Sequence, residues 1–269
     1  MMRAQNGVRR RGWALILVGL LTAGVSWAQP LVLAVQPILS ERATAKAFTP
    51  LATYIGQVLG RPCVVATSPN FLAYWQTMRK AHGDAFILDA AHFTDYRITH
   101  LGYHLLVKEP GTVSYSLVAR SSEMIFGPAD LVGHRIASLG IPSMGAALLN
   151  RMFPDPSRRP IIVGAADASA ELQLLMAKKV AAAMVPTPIV GQAMARGTAI
   201  MVITTTDPIP NIAVSAAPWI SAKERAQVRA ALLHAPPTLL HAIGLPAFVA
   251  ARAQEYSGQS RVLQEYWGY

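Results

Sequence analysis

Short apolar runs alternate with longer amphipathic segments along most of the chain, and this alternation limits the possible folds more than any other feature of the sequence. An apolar run at 31–35 is followed by a segment, 42–59, whose apolar residues recur at the spacing of one helix face. Gly60 comes directly after that segment, at the position that a left-handed helix cap requires. Repeated strand–helix units predict parallel sheets with helices on both faces.

The same alternation continues in two successive series. Further strands are predicted at 63–66, 85–88, 103–107, 135–138, 161–163, 180–184 and 200–204, and helices at 70–81, 90–98, 143–152, 168–178 and 188–196. An extended segment at 113–119 separates the two series, and a second one at 211–215 returns the chain to the first. We therefore predict an α/β fold of two lobes, each a mostly parallel sheet flanked by helices, joined by two crossing segments.

The two crossings divide the chain into lobes. Lobe 1 is assigned to residues 29–112 and 213–269 and lobe 2 to 113–212, with hinge crossings near 113–119 and 209–216. In open parallel sheets a ligand lies at the carboxyl ends of the strands. A ligand of this protein is therefore expected in the cleft between the lobes.

The first 28 residues have the pattern of a secretory signal peptide. Arg9, Arg10 and Arg11 precede an apolar run at 13–25, and Ser26-Trp27-Ala28 supplies small residues before a cleavage point after Ala28. The run is short for a helix that spans a bilayer, so an uncleaved anchor is the less favoured alternative. We expect a protein that is exported to the periplasm.

Charge and cysteine content exclude several classes of protein. The net charge of +10 falls to +6 once the four arginines of the predicted signal peptide are removed, and the remaining basic residues are scattered. Together with export, this argues against a nucleic-acid partner. A single cysteine, Cys63, excludes an intramolecular disulfide and any multi-cysteine metal site. His100 and His104 lie four residues apart without a third ligand nearby, so no metal site and no cofactor are expected.

Four stretches of the mature chain carry a family resemblance, and together they span nearly all of it. They are 50–60, 70–78 with the following Gly83-Asp84-Ala85-Phe86-Ile87, 115–120 with 130–137, and Ser138-Leu139-Gly140-Ile141-Pro142-Ser143-Met144-Gly145. In order and spacing the sequence resembles the PhnD-like phosphate/phosphite/phosphonate-binding family of type 2 periplasmic solute-binding proteins. The resemblance implies a monomeric binding protein without catalytic activity that closes its lobes on a small ligand and delivers it to an ABC permease.

The resemblance also implies where the ligand binds. Family members hold an oxyanion with hydroxyl groups and backbone amides at a helix start, which corresponds here to Ser143, Met144 and Gly145. Two aromatic positions of the family fall at Phe71 and Phe93, and a histidine of the second lobe falls near Asp167. Because only one hydroxyl of the anion loop survives, the pocket departs from the phosphonate pattern.

Three further residues are candidates for ligand contact. Asp89 and His92 follow the third strand and are therefore expected at the cleft mouth, and Tyr115 lies on the first crossing segment. Each has a structural alternative: Asp89 as a helix cap with His92 exposed, and Tyr115 in packing between the lobes. Ser143, named above, has the alternative of an ordinary helix cap.

We therefore expect the protein to capture a small oxyanion or related polar solute for an ABC transporter. The alternative is a ligand-sensing accessory protein of a histidine kinase, similar to arsenite sensors, in which Cys63 is either a soft ligand or a buried strand residue. A remote alternative is a serine hydrolase, because Gly140 to Gly145 approaches a nucleophile-elbow pattern. Its partners would be Asp207 with His234 or His241.

Overall fold

The computed structural model describes residues 29–80 and 83–269, so the predicted signal peptide and its cleavage after Ala28 lie outside the described residues. The strands are β1 Leu31–Val35, β2 Cys63–Ala66, β3 Phe86–Asp89, β4 His104–Lys108, β5 Thr112–Val113, β6 Tyr115–Arg120, β7 Arg135–Ser138, β8 Ile161–Gly164, β9 Ala182–Pro186, β10 Ile200–Thr205, β11 Ile209–Pro210, β12 Ala213–Ala216 and β13 Val249–Ala250. The helices are α1 Glu41–Leu59, α2 Phe71–Met78, α3 Ala91–His100, α4 Met144–Met152, α5 Ala168–Met176, α6 Thr187–Ala195, α7 Ala222–Leu233, α8 Pro237–Ala242 and α9 Arg261–Trp267.

Two sheets form the two lobes. The first has the order β13-β4-β12-β3-β1-β2, and the second has the order β10-β6-β9-β7-β8. In the first sheet β1 is parallel to β2 and β3, and in the second β7 is parallel to β8 and β9. The predicted two-lobed α/β architecture is confirmed.

Most strands of each sheet run in the same direction, as predicted, and antiparallel strands join this parallel set. Strand β12 pairs antiparallel with β3 and β4, and β6 pairs antiparallel with β9 and β10. Each of these strands follows directly on a crossing segment. Strands β6 and β12 each enter their sheet from the other lobe. Each therefore runs antiparallel to the neighbouring strands of the lobe that it joins.

The two crossings pair with each other. Strands β5 and β11 form a two-stranded antiparallel ribbon in which Val113 faces Ile209. The ribbon leads into β6 on one side and into β12 on the other. The connection between the lobes is therefore a pair of hydrogen-bonded strands.

Helix α1 shows how local sequence fixes an element of the first lobe. The Ser40 side chain caps it by accepting from the Ala43 backbone N–H, and Gly60 ends it at φ 63°, as the sequence predicts. Phe48, Leu51 and Ile55 form its buried face. This helix packs on β2 and α7.

One buried apolar cluster contains side chains of both sheets. It includes Leu33 and Phe86 from the first lobe and Leu117 and Leu149 from the second. The lobes are therefore in contact, and we term this the closed arrangement. Among the described residues, none of the helices combines the length and the apolar character needed to cross a membrane.

Candidate functional site

The cleft between the lobes lies where the parallel strands of both sheets end. The loop after β1 meets the start of α5, because the backbone N–H of Ala168 donates to the carbonyl oxygen of Ile38 at 3.2 Å. The start of α3 meets the loop after β7, because Nε2 of His92 lies 2.9 Å from the carbonyl oxygen of Pro142. These two hydrogen bonds hold the lobes together across the cleft.

The start of α4 carries the predicted anion loop. Ser143 is the helix cap, and its Oγ accepts from the Ala146 backbone N–H at 3.2 Å. The next two amides, of Met144 and Gly145, donate to no acceptor in the described part of the chain. Free amides at a helix start, together with the helix dipole, favour a negatively charged or hydrogen-bond-accepting group. All three residues are buried in the closed arrangement.

His92 links that loop to the first lobe. Its ring is fully buried and packs against Phe93 with 3.9 Å between the ring centroids. A carbonyl oxygen only accepts, so Nε2–H is the donor to Pro142, and Nδ1 has no hydrogen-bond partner among the described residues. Burial lowers the pKa of His92 to about 4, although the bond to Pro142 acts in the opposite direction. The histidine is therefore neutral near neutral pH.

Asp89 lies in the interior of lobe 1 and not at the cleft mouth where the sequence analysis expects it. It is fully buried and forms a two-point ion pair with the guanidinium of Arg97, which α3 carries eight residues later. Tyr74 donates its hydroxyl to Asp89 at 2.5 Å, and Thr94 donates to it at 3.0 Å. Its acceptor positions are occupied by protein groups, so the carboxylate stabilises the first lobe.

Phe71 and Phe93 belong to an aromatic cluster beneath the cleft. Their rings stack with centroids 6.1 Å apart, and Phe93 also stacks on Trp75 at 5.8 Å. Both phenylalanines are almost fully buried. The faces of Phe93 are therefore covered by neighbouring rings, whereas Phe71 reaches the edge of the cleft at the start of α2.

Tyr115, the first residue of β6, and Gly145, at the start of α4, lie against each other. A methyl group on Gly145 would lie 3.3 Å from the Met184 carbonyl oxygen and 3.8 Å from Cδ1 of Tyr115. The absence of a side chain at Gly145 therefore allows the α4 start to approach both β9 and Tyr115. Burial and the carboxyl group of Glu171 raise the pKa of Tyr115, which keeps its hydroxyl protonated.

Asp167 caps the next helix of the cleft. Its side chain accepts from the Ala170 backbone N–H at 2.8 Å, at the start of α5. One turn later Glu171 is fully buried, and neither of its carboxyl oxygens has a hydrogen-bond partner within residues 29–80 and 83–269. Burial, and then the charge of Asp167, raise its pKa well above the ordinary value, while the nearby backbone of Leu139 opposes the shift.

Among the described residues, cavities lie between the lobes at the cleft mouth and on the hinge side. One, of about 530 Å³, opens at the cleft mouth between Phe71 of lobe 1 and Gly140 and Ala165 of lobe 2. The other, of about 280 Å³, lies on the hinge side and is bounded by Gln36 and Tyr115. Ser143, Met144 and Gly145 line neither cavity, because the closed lobes cover the start of α4.

The remote hydrolase arrangement does not form. The Ser143 hydroxyl makes no hydrogen bond to a histidine in the described part of the chain. His234 instead bonds through Nδ1 to the carbonyl oxygen of Ala230 within the end of α7, at 2.9 Å. The site is thus equipped to hold a small molecule between two halves and contains no assembled nucleophile.

A family comparison agrees with this geometry. The sequence model described as "ABC transporter, phosphonate, periplasmic substrate-binding protein" matches residues 33–256, which is most of the chain. The chain belongs to this family. The periplasmic phosphonate-binding family supplies the substrate-binding components of ABC transporters. A search of curated protein sequences gives no significant match.

Several solved structures share the fold. PhnD1 from Prochlorococcus marinus, in complex with methylphosphonate, superposes with a TM-score of 0.76 at 10% identity, covering 89% of this chain and 98% of that one. A binding-protein component of an ABC phosphonate transporter from Pseudomonas aeruginosa gives 0.70 at 13% identity, covering 85% and 84%. XAC2383 from Xanthomonas citri, bound to ATP, gives 0.70 at 12%, covering 89% and 100%. At these identities the similarity shows the fold alone.

The fold brings to the cleft of this phosphonate-binding-family protein three residues that are not among the sites predicted from the sequence. Gln36 begins the loop after β1, and its Oε1 accepts from the Ala90 backbone N–H at 2.9 Å. Glu171 is buried at the α5 start, and Glu109 lines the hinge-side cavity. Glu171 lies one helical turn after the Asp167 cap, and this spacing could have marked it as a candidate. The sequence does not indicate, however, that the face of α5 that carries Glu171 is buried.

Proposed function

We propose that this protein captures a small polar solute, with an oxyanion as the leading class, between its two lobes and presents the closed complex to an ABC permease. The observation that carries the proposal is the pair of hydrogen bonds across the cleft, Ala168 to Ile38 and His92 to Pro142. Each joins the loop after a strand of one lobe to the start of a helix of the other lobe. These positions lie at strand ends, where ligands bind in open α/β sheets. Closure through the β5–β11 ribbon fits a hinge mechanism.

The free amides of Met144 and Gly145 support the oxyanion class. They are donors at the positive end of a helix dipole, in a place that closure shields from water. The aligned amides and the Ser143 hydroxyl donate hydrogen bonds to the anion. These donors stabilise its negative charge without a cationic side chain. Because the pKa of Glu171 is raised, its carboxyl group carries less negative charge and repels a nearby anion less.

Thermal unfolding of the purified protein tests the proposal. Phosphate, phosphite, methylphosphonate, sulfate and arsenite are added singly, and at least one is expected to stabilise the protein, by about 2.7 kcal/mol at a hundredfold excess over its Kd. The radius of gyration in solution is expected to fall on addition of the same ion, since the open lobes close on it. If none of these anions raises the unfolding temperature, the oxyanion class is wrong.

A matched pair of variants separates binding from stability. Ser143→Ala and Ser221→Ala each remove a serine that caps a helix by accepting a backbone N–H three residues on. Each is expected to cost about 1 kcal/mol of folding stability. Only Ser143→Ala should also weaken the response to the anion, because Ser221 caps α7 outside the cleft. Equal responses of the two variants would contradict a ligand at the α4 start.

A further inference from the structure

The hinge-side cavity has a chemical character of its own. It is bounded by both lobes and by the hinge ribbon, with Leu88 from the first lobe, Ile189 from the second, and Val113 and Ile209 from the ribbon. Most of its wall is aliphatic side chains and prolines. A partly enclosed apolar cavity with a few polar groups has the features of a small-molecule site.

Several polar groups of the cavity wall are already engaged. Gln36 accepts a backbone N–H through its Oε1, and Thr44 donates its hydroxyl to the Leu39 carbonyl at 3.2 Å. Asn211 donates its amide to the Pro110 carbonyl at 3.4 Å. Because these side chains already form hydrogen bonds within the protein, they have fewer free donors and acceptors with which to bind the head group of a ligand.

Glu109 is different. Among the described residues it is the only charged side chain that lines the cavity, and no lysine, arginine or histidine lines it. It forms no ion pair in the described part of the chain. Its backbone N–H donates to the Ile212 carbonyl at 2.9 Å, which ties it to the second crossing. Partial burial raises the pKa of its carboxyl group, as expected for a negative charge without a compensating cation.

We infer that this cavity binds a small organic ammonium ion with an apolar body. The ammonium group pairs with the Glu109 carboxylate, and the hydrocarbon part lies against Leu88, Val113 and Ile189. An anion is disfavoured here because the only fixed charge is negative and burial strengthens the repulsion. A neutral molecule leaves the carboxylate without a partner. The inference goes beyond the oxyanion site, because neither Met144 nor Gly145 lines this cavity.

Occupation of the cavity favours the closed arrangement. Its wall includes α6 of lobe 2 as well as the loop after β1 in lobe 1, so opening the cleft separates the surfaces that a ligand touches. A ligand that binds one arrangement better shifts the population toward it. The ammonium ion is therefore expected to compact the protein as well as to stabilise it.

Three probes that share one hydrocarbon body test the assignment. Phenethylamine, phenethyl alcohol and hydrocinnamate carry a cationic, a neutral and an anionic head on the same ring and two-carbon arm. Titration calorimetry of the full-length processed protein near neutral pH is expected to give at least tenfold tighter binding of the amine than of the alcohol, and no binding of the carboxylate. Equal affinity for amine and alcohol, preference for the carboxylate, or no binding of any probe overturns the assignment.

Variants locate the site. Glu109→Gln is expected to weaken amine binding at least tenfold and to leave the alcohol unchanged, whereas Glu265→Gln on the exposed face of α9 changes neither. Ile189→Phe fills the cavity without altering charge and should weaken both probes. Undiminished amine binding in Glu109→Gln contradicts the inference. The thermal unfolding of Glu109→Gln reports its folding, and its response to whichever anion stabilises the natural protein reports the α4 site. A failure of the ammonium proposal is therefore distinguishable from a failure of the oxyanion proposal.

Discussion

Nε2 of His92 in the first lobe lies 2.9 Å from the carbonyl oxygen of Pro142 in the second, and both groups are in the residues that close the cleft. The bond requires the proton on Nε2, which leaves Nδ1 bare and buried. A second proton on the ring would place a charge at Nδ1 with no acceptor in the described part of the chain. Closure is thus coupled to a neutral imidazole.

This coupling predicts a specific dependence of stability on pH. The pKa of His92 falls from 6.5 to about 4 on folding, so the unfolded chain binds more protons between those values. The stability that neutral His92 contributes is present above about pH 6.5 and is lost as the pH falls toward 4, an effect of about 3 kcal/mol. Urea unfolding at a series of pH values measures it.

His92→Gln keeps a side-chain N–H donor and removes the titration, so it isolates the contribution of His92. The variant is expected to lose less stability than the natural protein between neutral pH and pH 4. His100→Gln, at the exposed end of α3, should follow the natural protein. If the free energy of unfolding falls equally with pH in the natural protein and in His92→Gln, the predicted contribution of His92 is wrong.

Removal of one partner of the buried Asp89–Arg97 pair is expected to destabilise the first lobe strongly. Asp89→Asn keeps the shape and leaves the fully buried guanidinium without its counter-charge, at a cost of about 3–5 kcal/mol. The double variant Asp89→Asn/Arg97→Met should recover a large part of that loss, because no buried charge remains. Denaturant midpoints provide the measurement, and a single-variant cost below about 0.5 kcal/mol contradicts the prediction.

Two glycines in helices should respond oppositely to alanine. At Gly56 a methyl group would lie 2.7 Å from the Arg61 carbonyl oxygen and 3.1 Å from the Cys63 amide nitrogen, so Gly56→Ala is expected to cost about 1–3 kcal/mol. At Gly191, on the exposed face of α6, no atom lies within 4 Å, and Gly191→Ala should stabilise by up to about 1 kcal/mol. Thermal unfolding compares them, and the same sign for both variants contradicts the packing argument.

The thiol of Cys63 is expected to be unreactive in the folded protein. Burial raises its pKa to about 11, and the thiolate is the nucleophile. Near pH 8 its reaction with an aromatic disulfide reagent should be on the order of a hundredfold slower than that of free cysteine, and urea should restore the ordinary rate. A folded-state rate close to that of free cysteine would support Cys63 as an accessible soft ligand.

Local sequence was sufficient for most elements of the fold. Apolar spacing predicts α1, and Gly60 ends it, because the cap depends on backbone geometry within a few residues. Ser143 caps α4 for the same reason. The order of strands and helices also predicts two lobes, because a parallel sheet requires a crossover between its strands. The small strands β5, β11 and β13 escape prediction, because pairing with distant segments defines them.

The candidate site depended on distant contacts to a much greater extent. Sequence placed Asp89 after a strand but did not indicate that Arg97 would neutralise it, because that pairing depends on how α3 packs on the first sheet. It placed His92 near the cleft, but the bond to Pro142 crosses fifty positions of chain.

The sequence by itself determined the strand–helix order, the helix caps and the family, since these depend on neighbouring residues and on pattern. The tertiary structure alone decided which polar groups are paired, which are left bare and which face a cavity. Desolvation and charge pairing act through space, so Glu109 and Glu171 acquire their character only when distant segments enclose them.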